Sequence, residues 1–207
     1  QIDDFWRQAP AIVLVDCGDL AMPGIGAELF AGKRLAMIDH HASNPRYAEA
    51  NCLDTQASAT AELLFRYFEA VGFSLDKNTA TALFTGIYTD TDAFSNLGTT
   101  PEALRASSLL LKRGANFKDV IANTLQNKSI ASLKLWGRSL ERLRLDKAKG
   151  IAITVIREAD IKECQARPED TEGIAGLLNH LADVKMAMVL REQGDGTIKG
   201  SLRTTDE

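Results

Sequence analysis

Asp39-His40-His41 is the sharpest chemical feature of the chain: a carboxylate and two imidazoles in consecutive positions, directly after the apolar run Arg34-Leu35-Ala36-Met37-Ile38. Carboxylate and imidazole together suit manganese, iron or zinc. Adjacent side chains at a strand end point in different directions, so one can ligate an ion while its neighbour supports it. Taken alone, the triplet is also what an ordinary polar loop contains. Asp16 strengthens the metal reading, because it ends another apolar run, Ala11-Ile12-Val13-Leu14-Val15. Alone, it could simply cap the turn that follows. Asp90 and Asp92, in Thr89-Asp90-Thr91-Asp92, end an apolar helical pattern, and they too could be solvated loop carboxylates. Three such clusters, each ending an apolar element, supply the oxygen and nitrogen donors that a pair of hard divalent ions needs. Cys17 is followed by Gly18 and reads as packing, and no activated Ser or Cys arrangement is present. His180 has no acidic cluster around it and reads as a surface or interdomain residue.

The elements that must position these residues follow the pattern of an α/β protein. The runs 11–15 and 34–38 are short and continuously apolar, as buried strands of a parallel sheet are. Parallel neighbours would bring Asp16 and Asp39-His40-His41 to one sheet edge, where open α/β sheets place ligands. The spacing then predicts a helix over 59–71 capped by Ser58, and another over 77–88 capped by Asp76. A further helix starts at Thr100-Pro101 and is closed by Gly114. Helices are predicted over 117–126 and 129–145. Gly150 opens a different pattern: a strand over 151–156, a helix over 170–181, and strands over 185–191 and 197–203 joined by the turn Gly194-Asp195-Gly196. No internal repeat, low-complexity segment or GxGxxG is present.

The bulk composition narrows the partners. The 207 residues are 45% hydrophobic, enough for one large or two small cores. The net charge is −4 and no Lys/Arg run occurs, which argues against long duplex nucleic acid as a partner. A small phosphorylated ligand needs only a local positive spot, which bound ions could supply. The three cysteines, Cys17, Cys52 and Cys164, are far apart and form no CxxC pair, which fits a reducing cytoplasm. No signal peptide and no membrane-crossing run is found.

On these residues the sequence resembles the DHH phosphoesterases, in the subgroup that joins a DHH domain to a DHHA1 domain. Val15-Asp16-Cys17-Gly18-Asp19 is similar to that family's motif II, Ile38-Asp39-His40-His41 to motif III, and Gly86-Ile87-Tyr88-Thr89-Asp90-Thr91-Asp92-Ala93-Phe94 to motif IV. Glu172-Gly173-Ile174 and Gly200-Ser201-Leu202-Arg203 are similar to pieces of the DHHA1 domain. Thr99-Thr100-Pro101-Glu102-Ala103-Leu104 and the Leu-rich segment after it favour the NrnA-type branch, which acts as oligoribonuclease and 3′-phosphoadenosine 5′-phosphate phosphatase.

The resemblance implies a DHH domain over 1–127 with a mainly parallel sheet flanked by helices, a helical connector over 128–146, and a smaller α/β DHHA1 domain over 147–207, with the active site in the cleft between the two domains. It implies a catalytic set of Asp16, Asp39, His40, His41 and Asp90. Asp16 would bridge two divalent ions, manganese first, with magnesium or cobalt as alternatives. His40 and Asp90 would complete one ion's shell. Asp39 and His41 would support the site or touch substrate, and Arg203 would grip a substrate phosphate as a planar donor fork. The ions would clamp phosphoryl oxygens and hold a hydroxide for in-line attack. The implied substrates are short oligoribonucleotides, linear or cyclic dinucleotides, or 3′-phosphoadenosine 5′-phosphate, hydrolysed in the cytoplasm by a protein that could be a homodimer. Two rivals stand beside this: a pyrophosphatase or exopolyphosphatase of the same superfamily, and a catalytically incomplete nucleotide-binding module.

Three departures are visible. The family's motif I, a His and two Asp after the first strand, has no counterpart, nor does the glycine-rich GGGH segment expected after Arg203. Asp92 stands where many relatives carry Gly. The chain opens on Gln1 and closes on Thr204-Thr205-Asp206-Glu207. Both ends are therefore expected to be cut, and residues 1–207 alone to be nearly inactive and to bind at most one ion well.

Overall fold

The structure, a computed structural model, describes residues 8–124 and 128–204. Contacts divide the chain into two compact units, residues 1–121 and 122–207. In the first unit, β1 (Ala11–Val15), β2 (Arg34–Asp39) and β3 (Ala50–Leu53) form a parallel sheet in that order. The register pairs Val15 with Ile38, and Ile38 with Cys52. One more rung, from the Asp16 amide to the Ile38 carbonyl at 3.0 Å, carries the ladder past the end of β1. Asp16 and Asp39 therefore arrive at the same end of the sheet, as the parallel reading requires.

Four helices follow: α1 (Thr60–Ala70), α2 (Lys77–Asp90), α3 (Pro101–Lys112) and α4 (Phe117–Thr124). Their apolar faces bury Phe65, Leu83, Phe84, Ile87, Tyr88, Leu110 and Val120 in one cluster. A fully buried side chain of this size contributes about 1.5–3 kcal/mol, so this cluster anchors the helices that carry the polar residues. A smaller cluster of Ile12, Leu14 and Phe30 holds β1.

The second unit has its own core, with Leu135, Ile156, Ile174, Leu178 and Val189. It contains α5 (Ile130–Glu141), β4 (Arg144–Asp146), β5 (Ile151–Ile156), α6 (Glu158–Glu163), α7 (Ile174–Asn179), β6 (Met186–Glu192) and β7 (Ile198–Thr204). The sheet order is β4-β5-β6-β7; β5 and β6 are parallel, and the other two pairs antiparallel. The turn Gly194-Asp195-Gly196 joins β6 to β7, as expected, with the Asp195 carboxylate accepting from the Thr197 amide at 2.9 Å.

The α/β expectation is met, with several local corrections. Asp76 and Thr100 cap their helices as expected, each accepting from the amide three residues on. Ser58 does not cap α1. Ala59 takes the N-cap position, and Ser58 instead donates its amide and hydroxyl to Glu62 Oε2. The run 11–15 is not buried on both faces, since Val13 is 61% exposed and Val15 also lies open. The unexpected β3 has no apolar run and owes its form to pairing with β2. The helix expected over 129–145 stops at Glu141, because residues 144–146 find backbone partners on β5. The helix expected over 170–181 is divided by Gly173, whose φ of +90° falls in the left-handed region. A side chain at that position would also meet the Trp136 ring at 3.2 Å. The short helix α6 was not expected at all. The final two positions of the helix expected over 117–126 lie outside the described residues. No helix among the described residues is long and apolar enough to cross a membrane.

Candidate metal centre

Three elements of the first unit deliver polar side chains to one spot. Asp16 leaves β1 with φ of +60°, a left-handed conformation that Asp tolerates better than most residues. His40 and His41 follow β2, and Asp90 ends α2. His40 Nε2 lies 3.8 Å from Asp16 Oδ1 and 3.8 Å from Asp90 Oδ2. Its other ring nitrogen, Nδ1, is 3.2 Å from the Ala57 carbonyl. A carbonyl only accepts, so Nδ1 donates, and Nε2 is the ring nitrogen that faces the two carboxylates. With Nδ1 engaged in this way, Nε2 is the nitrogen placed to ligate an ion. Ligand atoms of Asp16, His40 and His41 all lie within 4.8 Å of one another.

Asp39 stands beneath this group. It is fully buried and accepts from the His40 amide at 2.8 Å, His41 Nδ1 at 2.7 Å and Asn44 Nδ2 at 2.6 Å. Burial pushes the Asp39 carboxyl up, but the hydrogen bonds from Asn44 and His41 more than offset it, and its pKa is lowered. The same bond from Asp39 raises the pKa of His41. Asp39 is thus spent on orienting its neighbours. Burial, and then the charge of Asp16, raise the pKa of Asp90, against the pull of His40 and His41. Two carboxylates converging on one imidazole nitrogen form a donor set that a cation would satisfy. The residues present therefore fit a divalent ion.

Other sequence candidates are placed elsewhere. Asp19 accepts from the amides of Ala21 and Met22 and so caps a turn. Asp92 is exposed and lies past the end of α2, where Asp92, Ala93 and Phe94 are all left-handed. Cys17 Sγ donates to the Val15 carbonyl, and burial followed by the charge of Asp16 raises its pKa, so it is a thiol that packs. His180 is exposed at the end of α7. Arg203 lies on β7 of the second unit, exposed, with Nη1 donating to the Leu202 carbonyl.

Sequence reasoning missed three groups. Thr60 Oγ1 donates to Asp16 Oδ1 at 2.6 Å. Asn44 Nδ2 reaches both Asp39 Oδ2 and, at 3.1 Å, the Cys17 carbonyl. The Ala57 carbonyl fixes His40. None lies in an acidic or histidine cluster, and a backbone carbonyl leaves no residue-type signal at all.

The chain is similar to several known proteins. Residues 3–87 match the N-terminal domain of the DHH family. The bifunctional oligoribonuclease and PAP phosphatase NrnA of Thermus thermophilus is 29% identical over 167 residues, 81% of this chain and 49% of the relative. The protein of the same name from Bacillus subtilis is 23% identical over 168 residues, 80% of this chain and 53% of its own length. The chain thus spans about half the length of these curated relatives. Among solved structures, an exopolyphosphatase-related protein from Bacteroides fragilis superposes with a TM-score of 0.90 at 25% identity, covering 98% of this chain and 61% of that one.

Proposed function

We propose, from the premise that this chain is a DHH-family protein, that it is a metal-dependent phosphoesterase acting on short oligoribonucleotides, dinucleotides or 3′-phosphoadenosine 5′-phosphate. The observation that carries the proposal is His40 Nε2 held between Asp16 and Asp90, 3.8 Å from each. Asp16, His40 and Asp90 would hold a divalent ion; the donor set suits manganese, iron or zinc, and the family resemblance puts manganese first. Such an ion supplies charge neutralisation at the phosphoryl oxygens and activation of water. The chain's own residues fix the geometry. The Ala57 carbonyl fixes the His40 ring through Nδ1, and Asp39 holds His41 at the rim of the site with its Nδ1 proton engaged. His41, half-buried, is then available to contact substrate oxygen. Asp16 would serve both ions of a two-ion centre. Arg203, on the second unit, is proposed as a phosphate-gripping residue because Gly200-Ser201-Leu202-Arg203 resembles the DHHA1 segment that carries such an arginine. The oligoribonucleotide and 3′-phosphoadenosine 5′-phosphate substrates follow the activities for which the Thermus and Bacillus relatives are named.

The test is Mn²⁺ titration by calorimetry, followed by turnover of pApA and 3′-phosphoadenosine 5′-phosphate by the full-length protein. Binding of Mn²⁺ and release of AMP from both are expected, and Asp16→Asn should retain less than about a tenth of kcat, a loss of more than 1.4 kcal/mol in transition-state stabilisation. A protein that releases phosphate from pyrophosphate or polyphosphate and no AMP from pApA would refute the nucleotide reading. Arg203→Ala should raise KM more than it lowers kcat, since it removes binding remote from the reacting phosphorus. An unchanged KM for pApA would remove Arg203 from the site.

A further inference from the structure

We propose that Thr60 is a positioning residue for Asp16, and that residues 57–62 act as one strap setting the ligands of both strands; the inference rests on the metal reading above. Asp16 has little to steady it locally. It sits past the end of β1 on left-handed backbone, with its side chain about half exposed, at 49%. The hydroxyl of Thr60, at the first position of α1, is its one short side-chain partner among the described residues, at 2.6 Å. Thr60 itself is only 2% exposed.

The chemistry of the partner matters. A Lys or Arg there would orient the carboxylate by neutralising it, in competition with a metal ion. A hydroxyl donates a single hydrogen bond to Oδ1 and leaves the negative charge in place. It sets the plane of the carboxylate and reduces the rotamer freedom that ligation would otherwise have to remove. Three residues earlier, the Ala57 carbonyl does the corresponding work for His40. Two ligands from two different strands are thus oriented from one short segment.

The segment is itself locked. Glu62 is 1% exposed, and its Oε2 accepts from both the amide and the hydroxyl of Ser58, at 3.0 and 2.9 Å. Arg66, near Glu62 Oε1, also donates to Asp54 at 2.9 Å. A change confined to the Thr60 hydroxyl therefore leaves the strap in place and acts on Asp16.

The experiment measures Mn²⁺ affinity of the full-length protein by calorimetry in wild type, Thr60→Val and Thr60→Ser, with melting of the metal-free proteins alongside. Thr60→Val keeps the volume and loses the hydroxyl; it should weaken Mn²⁺ binding by about 10–100-fold, the range seen for groups that orient metal ligands. Thr60→Ser should restore affinity to within about threefold of wild type by the same logic. In an Asp16→Ala background, which removes the acceptor, Thr60→Val should cost nothing further, because the two act as a pair. Wild-type affinity in Thr60→Val, or equal weakness in the serine and valine variants, overturns the inference while leaving the metal reading intact. A wild-type protein that binds no Mn²⁺ overturns both. Should Thr60→Val fail to fold, Thr60→Ala takes its place, and affinity equal to wild type would again overturn the inference.

Discussion

At the scale of single residues, the ligating side chains are held in place by buried groups that carry no chemistry of their own. Asn44 is the clearest case. It is buried, its amide nitrogen serves Asp39 Oδ2 and the Cys17 carbonyl, and its amide oxygen accepts from the Arg46 backbone at 2.8 Å. Tyr47 donates to the same Cys17 carbonyl at 2.7 Å. The loop after β1 and the loop after β2 are therefore joined through one carbonyl and one carboxylate. Removing Asn44 leaves a charged oxygen of Asp39 buried without that partner, and such a loss costs about 1–3 kcal/mol. Asn44→Ala is expected to lower stability by this amount in urea denaturation of the metal-free protein. Asn44→Asp should do worse, because it sets a second carboxylate against Asp39. Wild-type stability in both variants would show that the loops are held by something other than this bond.

At the scale of elements, Gly86 decides how closely α2 can approach α1. A Cβ at Gly86 would lie 2.7 Å from Ala61 Cβ, a distance that two rigidly attached carbons cannot adopt. Asp90 lies four residues further along α2, one turn on along the same face, and Ala61 is the neighbour of Thr60. The close crossing thus brings the helix end bearing Asp90 toward the helix start bearing Thr60. Gly86→Ala should cost about 1–3 kcal/mol as overpacking and weaken Mn²⁺ binding as Asp90 is displaced. Adding Ala61→Gly should recover part of both losses, since it reopens the contact from the other side. If the double variant is no better than Gly86→Ala alone, the crossing is not set by this pair. The same elements show what could be read from the sequence. The acidic and histidine residues were legible because each ends an apolar run, and parallel pairing then aligns the runs. The Gly86 to Ala61 contact was not, because a glycine within a helix does not name the helix it faces. Thr60 was hidden for a related reason: its partner is 44 residues away. The division of residues 170–181 was unreadable because Trp136, which confines Gly173, lies in another element.

At the scale of the whole molecule, the chain holds separate buried clusters in its two units, and the second also carries an ion network around a buried carboxylate. Asp160, 2% exposed on α6, accepts both guanidinium nitrogens of Arg142 at 2.6 and 2.7 Å, together with the Arg157 amide at 2.8 Å. Arg138 approaches the same carboxylate and also pairs with Glu163. Both arginines belong to the end of α5, so the network fastens α5 to α6 beside the sheet of the second unit. The Arg142 hydrogen bonds hold the Asp160 carboxyl well below the usual carboxylate range, at about 2 against an ordinary 3.8. A lowered folded pKa means stability that is fully present above the unfolded value and disappears as pH falls through the folded one. The contribution is about 2 kcal/mol at neutral pH, lost between roughly pH 4 and pH 2. Asp160→Asn keeps the shape and removes the charge, so it should destabilise the second unit at pH 7, while its difference from wild type shrinks steadily over that acid interval. Trp136 packs on α5 in this unit and reports its unfolding; the one other tryptophan is Trp6, so a Trp6→Phe background isolates the signal. Urea midpoints read from Trp136 fluorescence at pH 7, 4 and 2.5 would trace the difference. A gap between wild type and Asp160→Asn that is as wide at pH 2.5 as at pH 7 would mean that α5 and α6 are held by their apolar contacts and that the ion network adds nothing which protonation can remove.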